Sequence, residues 1–286
     1  MQYFKYFVVG SVVLSVFVLT ARVLKTSKPV EVPAKIAKLI PIPIPLPTVI
    51  VYPTVTHYVP PMIPSHPSYT LIFVGDSMTE ALGENFDFLR SDLKKYYKEK
   101  EFGIFNYGFG STNILSVMDR LQKETIYQGR NFMAILPRYF DIIFIESMGT
   151  NPLSQFPIEK GLQEQTKALD KVVAEIAGSH PDSMIVFLTT VAPSQTLFGK
   201  GVLDLTPAVR NQWANERRAY IENHISFAKS HNIPLINVYE KTLDINGLTM
   251  QKYLDPNNYI HPSTEGVRLM SQMIADYLFQ NKILVD

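Results

Sequence analysis

Cysteine is absent from all 286 residues. Disulfides, thiolate nucleophiles, a lipid anchor through a thiol and the common zinc ribbons are therefore excluded. Charge of one sign is lacking as well. Lys and Arg number 27 against 26 Asp and Glu, a net charge of +1, so no basic field points to nucleic acid. Histidine is sparse, and His180, His224 and His231 lack metal-ligand spacing; surface or helix-end places suit them better. His57 and His66 fall in a proline-rich stretch and are expected to be solvated. A dinucleotide fingerprint is missing too, because Gly108 and Gly110 are followed by Asn113 where the third glycine would stand. No internal repeat is present. Apolar residues make up 46% of the chain against 19% charged, enough for a sizeable core.

From Tyr6 to Ala21 the chain carries no charge and is dominated by Phe, Val and Leu. With Val23 and Leu24 the run reaches about 19 residues, Arg22 being able to snorkel to headgroups; about 20 are needed to cross a bilayer as a helix. The expectation is an N-terminal transmembrane anchor over residues 1–27, with a cleaved signal peptide as the rival reading. Lys28 to Pro67 reads as a linker, since eleven of the 20 prolines lie between Pro29 and Pro67. Ile40 to Pro47 alternates aliphatics with proline, which fixes φ and supplies no amide donor. An extended polyproline II spacer follows from that pattern. Arg22, Lys25 and Lys28 behind the anchor argue by the positive-inside tendency for a cytoplasmic body. A spacer holding a domain off a membrane argues for the other side, and an extracytoplasmic domain is the expectation retained.

Residues 68–286 have globular composition. Short apolar runs suited to buried strands occupy residues 69–74, 102–107, 141–146, 183–188 and 233–239. Between them lie helical spacings, as at Leu162, Leu169, Val172, Val173 and Ile176, in the stretch Pro207 to Ser230, and at Val267, Met270, Ile274, Tyr277 and Leu278. Such alternation predicts an α/β domain, a parallel sheet covered by helices on both faces. Ligands of such sheets sit outside the carboxyl ends of the strands. The residues there are Gly75-Asp76-Ser77, Asn106 to Asn113, Met148 to Asn151 and Thr189 to Pro193, with a late loop from Asp255 to Ser263. Ser77 follows a strand and should open a helix, which presents its hydroxyl at the sheet edge. His261 lies where a base can reach back over the first strand. The small residues around Gly110 and the side-chain amide of Asn151 can donate to an oxyanion. Asp76, beside Ser77, is expected to bond local backbone.

This set resembles the SGNH, or GDSL, hydrolase superfamily of esterases and lipases. Gly75-Asp76-Ser77 resembles its first block, with Ser77 as nucleophile. Asn106 to Thr112 resembles the second, with Gly110 as oxyanion donor and Ser111 as the alternative. Gly149-Thr150-Asn151 resembles the third, although Pro152 stands where the family has aspartate. Asn258-Tyr259-Ile260-His261-Pro262 resembles the last, although asparagine replaces the acid three residues before the histidine. Asn258, Asp255 six residues before His261, or a bare Ser–His dyad are the alternatives this departure leaves. The resemblance implies a flavodoxin-like three-layer α/β/α sandwich on a five-stranded parallel sheet, acyl transfer through Ser77 and His261, and an oxyanion hole of Ser77, Gly110 and Asn151. It implies no metal or organic cofactor. Together with the anchor it suggests an esterase acting on acyl or O-acetyl esters, including acylated cell-surface carbohydrate. An O-acyltransferase of the same fold and an inactive surface-binding module are the alternatives.

Overall fold

The computed structural model describes residues 57–285. The anchor expected over residues 1–27 and most of the linker expected over 28–67 lie outside the described residues. Among the described residues no helix is long and apolar enough to cross a membrane. Residues 57–67 are neither helix nor regular strand until the first strand begins. They lie against the sheet layers: Tyr58 and Ile63 are buried, and the Tyr58 hydroxyl accepts the Ile185 amide at 2.8 Å.

Five parallel strands form the sheet: β1 (Ser68–Gly75), β2 (Glu101–Gly108), β5 (Ile142–Glu146), β6 (Met184–Leu188) and β7 (Leu235–Ile236), in the order β2-β1-β5-β6-β7. A small antiparallel hairpin, β3 (Thr125–Tyr127) and β4 (Arg130–Phe132), stands apart from it. The central strands read as unbroken apolar runs because both faces are covered. Successive side chains point to opposite faces, so Leu71, Phe73, Ile142, Phe144, Val186 and Leu188 share one core. There they meet α2 (Asp87–Tyr96) and α7 (Thr264–Gln280). Ile72, Val74, Ile143, Ile145, Ile185 and Phe187 share the other. That face is covered by α3 (Val117–Gln122), α4 (Ile158–Ser179) and α5 (Pro207–Ser230).

This is the parallel sheet between helical layers that the alternation predicts, in the strand order of doubly wound flavodoxin-like sheets. The chain runs from β1 outward to β2, then returns past β1 to β5. The order therefore reverses at β1, and the loop after it, where Ser77 lies, is at the crevice such a reversal opens. The fifth strand is shorter than the run over 233–239 predicts. Asn237 ends it by accepting the Glu240 amide at 3.1 Å, which caps the short helix α6 (Val238–Lys241).

His224 departs from its expected surface or helix-end place. It sits in the middle of α5, fully buried, with its ring stacked on Phe187 at 4.1 Å. Burial pushes its pKa down from 6.5 to about 3. The folded state thus keeps a neutral ring while the unfolded chain takes up a proton below pH 6.5, so His224 costs stability as pH falls from 6.5 toward 3. His224→Phe should flatten this acid limb in a series of melting temperatures from pH 7 to 3.5. An unchanged slope would disprove the assignment.

Candidate active site

Asp76 is the N-cap of α1 (Ser77–Glu80), its carboxylate accepting the Met78 amide at 2.8 Å. The turn into this helix is tight. A Cβ on Gly75 would collide with the Thr79 side chain and come within 2.9 Å of Glu146 Cβ. Ser77 is the first helical residue, half-buried, and among the described residues its amide has no hydrogen-bond partner.

His261 comes from the loop before α7. Its Nε2 lies 3.0 Å from Ser77 Oγ, across 184 positions of sequence. The two residues singled out as nucleophile and base are therefore within hydrogen-bonding distance.

Asn258 and Asp255 hold this loop in another way than either alternative expects. Asn258 Oδ1 accepts the backbone amides of Ile260 at 2.8 Å and His261 at 2.9 Å. Its Nδ2 donates to Asp255 Oδ2 at 2.8 Å, and Asp255 Oδ1 accepts the Asn257 amide at 3.0 Å. The Asp255 amide donates to the His261 carbonyl at 2.9 Å, closing the loop. Among the described residues neither side chain hydrogen-bonds the His261 ring. They fix its backbone. The Asp255 carboxylate also explains the amide at 258, since an aspartate there would set two carboxylates in contact.

Of the expected oxyanion donors, Gly110 and Asn151 already make hydrogen bonds. A Cβ on Gly110 would lie 3.5 Å from Ser77 Cβ, so this glycine borders Ser77. Its amide donates to the Tyr127 hydroxyl at 2.8 Å, and that hydroxyl donates to Glu80 Oε2 at 2.9 Å. Ser111, the alternative donor, is exposed in a left-handed conformation at φ 60°. Asn151 Nδ2 donates to Asp76 Oδ2 at 2.9 Å. A primary amide carries two hydrogens, so one remains for a ligand.

Beside Ser77 lies a charge cluster. Asp76 and Glu146, both fully buried, meet where the Asp76 amide reaches Glu146 Oε2 at 3.3 Å. Glu146 Oε1 accepts the Ser147 hydroxyl at 2.7 Å and the Met148 amide at 2.8 Å. Burial pushes both carboxyls up, and the Asp76 charge pushes Glu146 well above its ordinary value. Arg120, buried as well, ties the ends of β1 and β2 together by donating to the carbonyls of Gly75 at 2.6 Å and Tyr107 at 2.7 Å. Its other nitrogen donates to the hydroxyls of Thr112 and Ser116, each at 2.6 Å.

No protein-family model and no curated protein matches the sequence. Solved structures do. A candidate GDSL-like lipase from Parabacteroides merdae superposes with a TM-score of 0.55 at 15% identity, over 78% of this chain and 100% of that one. An acetyl xylan esterase variant from Geobacillus stearothermophilus gives a TM-score of 0.54 at 16% identity, over 78% of this chain and 98% of that one. A candidate acylhydrolase from Bacteroides fragilis gives 0.51 at 14% identity, over 75% and 88%. The chain has the GDSL-hydrolase fold. Within that fold, the candidates Ser77, His261, Asn151 and Gly110 stand at strand ends or in the late loop, and Ser77 lies against both His261 and Gly110. Tyr127, Glu80, Glu146 and Arg120 escaped sequence reasoning. Glu146 had a signal, a carboxylate closing an otherwise apolar buried strand. Glu80 had a weaker one, three residues beyond Ser77 on the same short helix.

Proposed function

We propose that the chain is a serine hydrolase of acyl esters, with O-acetyl and related short acyl groups on carbohydrate as its substrates. The observation that carries this reading is the 3.0 Å approach of His261 Nε2 to Ser77 Oγ at the crevice of a GDSL-hydrolase fold. His261 takes the hydroxyl proton as Ser77 attacks the ester carbonyl, then returns it to the departing alcohol. Water repeats the sequence on the acyl-enzyme and frees the acid. The developing oxyanion is met by the Ser77 amide, the Gly110 amide and the second hydrogen of the Asn151 amide. Each such donor is typically worth about 3 kcal/mol of barrier. Residues 1–27 anchor this domain to a membrane, and the proline-rich stretch sets it off on the extracytoplasmic side.

The test is turnover of nitrophenyl acetate and butyrate by the purified protein, together with labelling by a fluorophosphonate probe mapped to Ser77. Absence of both would overturn the reading. Asn258→Ala tests the role of the late loop. It removes the acceptor for the Ile260 and His261 amides but no contact to the ring, so kcat should fall about tenfold and remain measurable. A loss equal to that of Ser77→Ala would show that Asn258 acts in the chemistry itself.

A further inference from the structure

A cleft of about 670 Å3 runs along the free edge of β2, roofed by the β3–β4 hairpin. That volume is in the range that encloses a small ligand. Its lining alternates ring faces with planar polar groups. Phe105, Tyr127 and Phe132 are half-buried, while Glu84, Gln128 and Arg130 are exposed around them. Three arginines face two glutamates, Glu80 and Glu84: Arg130 pairs with Glu84 at 2.7 Å, Arg90 donates to the carbonyls of Asn85 at 2.8 Å and Phe102 at 2.7 Å, and Arg138 lies over the Phe105 ring at 4.1 Å. The excess of one positive charge is a weak field for a polyanion. The carboxylates and amides rule out an apolar tube for a long acyl chain. Apolar ring faces rimmed by paired donors and acceptors suit a neutral polyhydroxyl ligand, whose rings have C–H faces and hydroxyl edges.

The inner end of the cleft touches the nucleophile's surroundings. Gln128 Nε2 donates to Glu80 Oε1 at 3.0 Å and to the Tyr127 hydroxyl at 2.9 Å. The same hydroxyl takes the Gly110 amide. An amide has one hydrogen, so an oxyanion and Tyr127 compete for it. Tyr127 belongs to the hairpin that roofs the cleft, and a ligand seated there presses on the element that holds this hydroxyl in place.

We propose that this cleft binds the sugar chain of an acylated carbohydrate and that Tyr127 couples its occupation to release of the Gly110 amide, a proposal that rests on the ester-hydrolase reading above. Small esters that leave the cleft empty meet a Gly110 amide still held by Tyr127. Esters with a sugar chain in the cleft displace the hydroxyl and gain the donor.

Titration of full-length Ser77→Ala protein with partly acetylated xylo- and chito-oligosaccharides tests the cleft. Saturable amide shifts are expected at Gly108, Gly110, Gln128 and Asn131, and Phe132→Ala should weaken binding at least tenfold with its circular dichroism unchanged. Shifts confined to other surfaces, or none across the panel, would overturn the proposal. Tyr127→Phe tests the coupling. Its kcat/KM for nitrophenyl acetate should rise about threefold or more, with no rise for an acetylated oligosaccharide; a fall on both substrates would overturn the role given to the hydroxyl. Wild-type protein that labels with fluorophosphonate yet binds no oligosaccharide would sink this inference alone. Protein that binds oligosaccharide but neither labels nor turns over would sink the hydrolase reading instead.

Discussion

Ser77→Ala should lower turnover of nitrophenyl acetate by about 10,000-fold or more and abolish fluorophosphonate labelling, with the melting temperature moved by no more than about 2 °C. The size follows from removing the atom that forms the covalent intermediate, which leaves only binding and oxyanion stabilisation. The stability expectation follows from the surroundings. Ser77 is half-buried, and its hydroxyl makes a single described contact, with His261. The helix it opens is capped by Asp76, not by Ser77. His261→Ala should cost nearly as much, because the two residues act as a unit and their losses do not add. Residual activity above about a tenth of wild type in either variant would move the chemistry away from this pair.

The late loop gives the asparagine at 258 a part in holding the backbone. In a triad the acid holds the imidazole tautomer and stabilises the imidazolium, a contribution that can reach about 10,000-fold. Here the Asp255 carboxylate is spent on the amides of Asn257 and Asn258, and Asn258 is spent on the backbone of Ile260 and His261. The imidazole is positioned through its main chain instead of through its outer nitrogen. Under the proposed mechanism, a pair arranged in this way is expected to turn over slowly.

The sheet was legible because buried parallel strands are continuous apolar runs, and Leu71 to Val74 or Ile142 to Ile145 have no other economical reading. Ser77 and His261 were legible because strand ends and the loop before the last helix are few places, and only some of them carry nucleophiles or bases. The hairpin was not. Its strands are three residues each, and its turn is Gln128-Gly129, both at positive φ, a weaker signal than Asn-Gly. Tyr127, which takes the Gly110 amide, was hidden with it. The roles of Asn258 and Asp255 were out of reach for another reason. Spacing places a side chain near a loop, but hydrogen-bond geometry decides whether it serves the ring or the backbone. Arg120 had no signal at all. An arginine on a short helix reads as solvated until the fold buries it.

Arg120→Met should destabilise the protein by about 3–5 kcal/mol, a fall in melting temperature of about 10 °C or more. The substituted side chain is of similar length and apolar, so the packing loss is small and the electrical loss is isolated. Burial lowers the guanidinium pKa to about 10, with Asp76 and Glu146 opposing the shift, so the group stays charged at neutral pH. It is the cation whose charge Asp76 and Glu146, both buried, favour. Without it the buried carboxyls lose their cation, and the Tyr107 carbonyl and the hydroxyls of Thr112 and Ser116 lose a donor. Arg120→Lys should recover less than half of the loss. A lysine can place charge there but cannot bridge two carbonyls and two hydroxyls with one planar fork. Activity should fall with stability, because the Gly75 carbonyl and the Thr112 loop that Arg120 joins also carry Ser77 and Gly110. A melting temperature unchanged in Arg120→Met would mean that the cluster beside Ser77 contributes nothing to holding the strand ends in register.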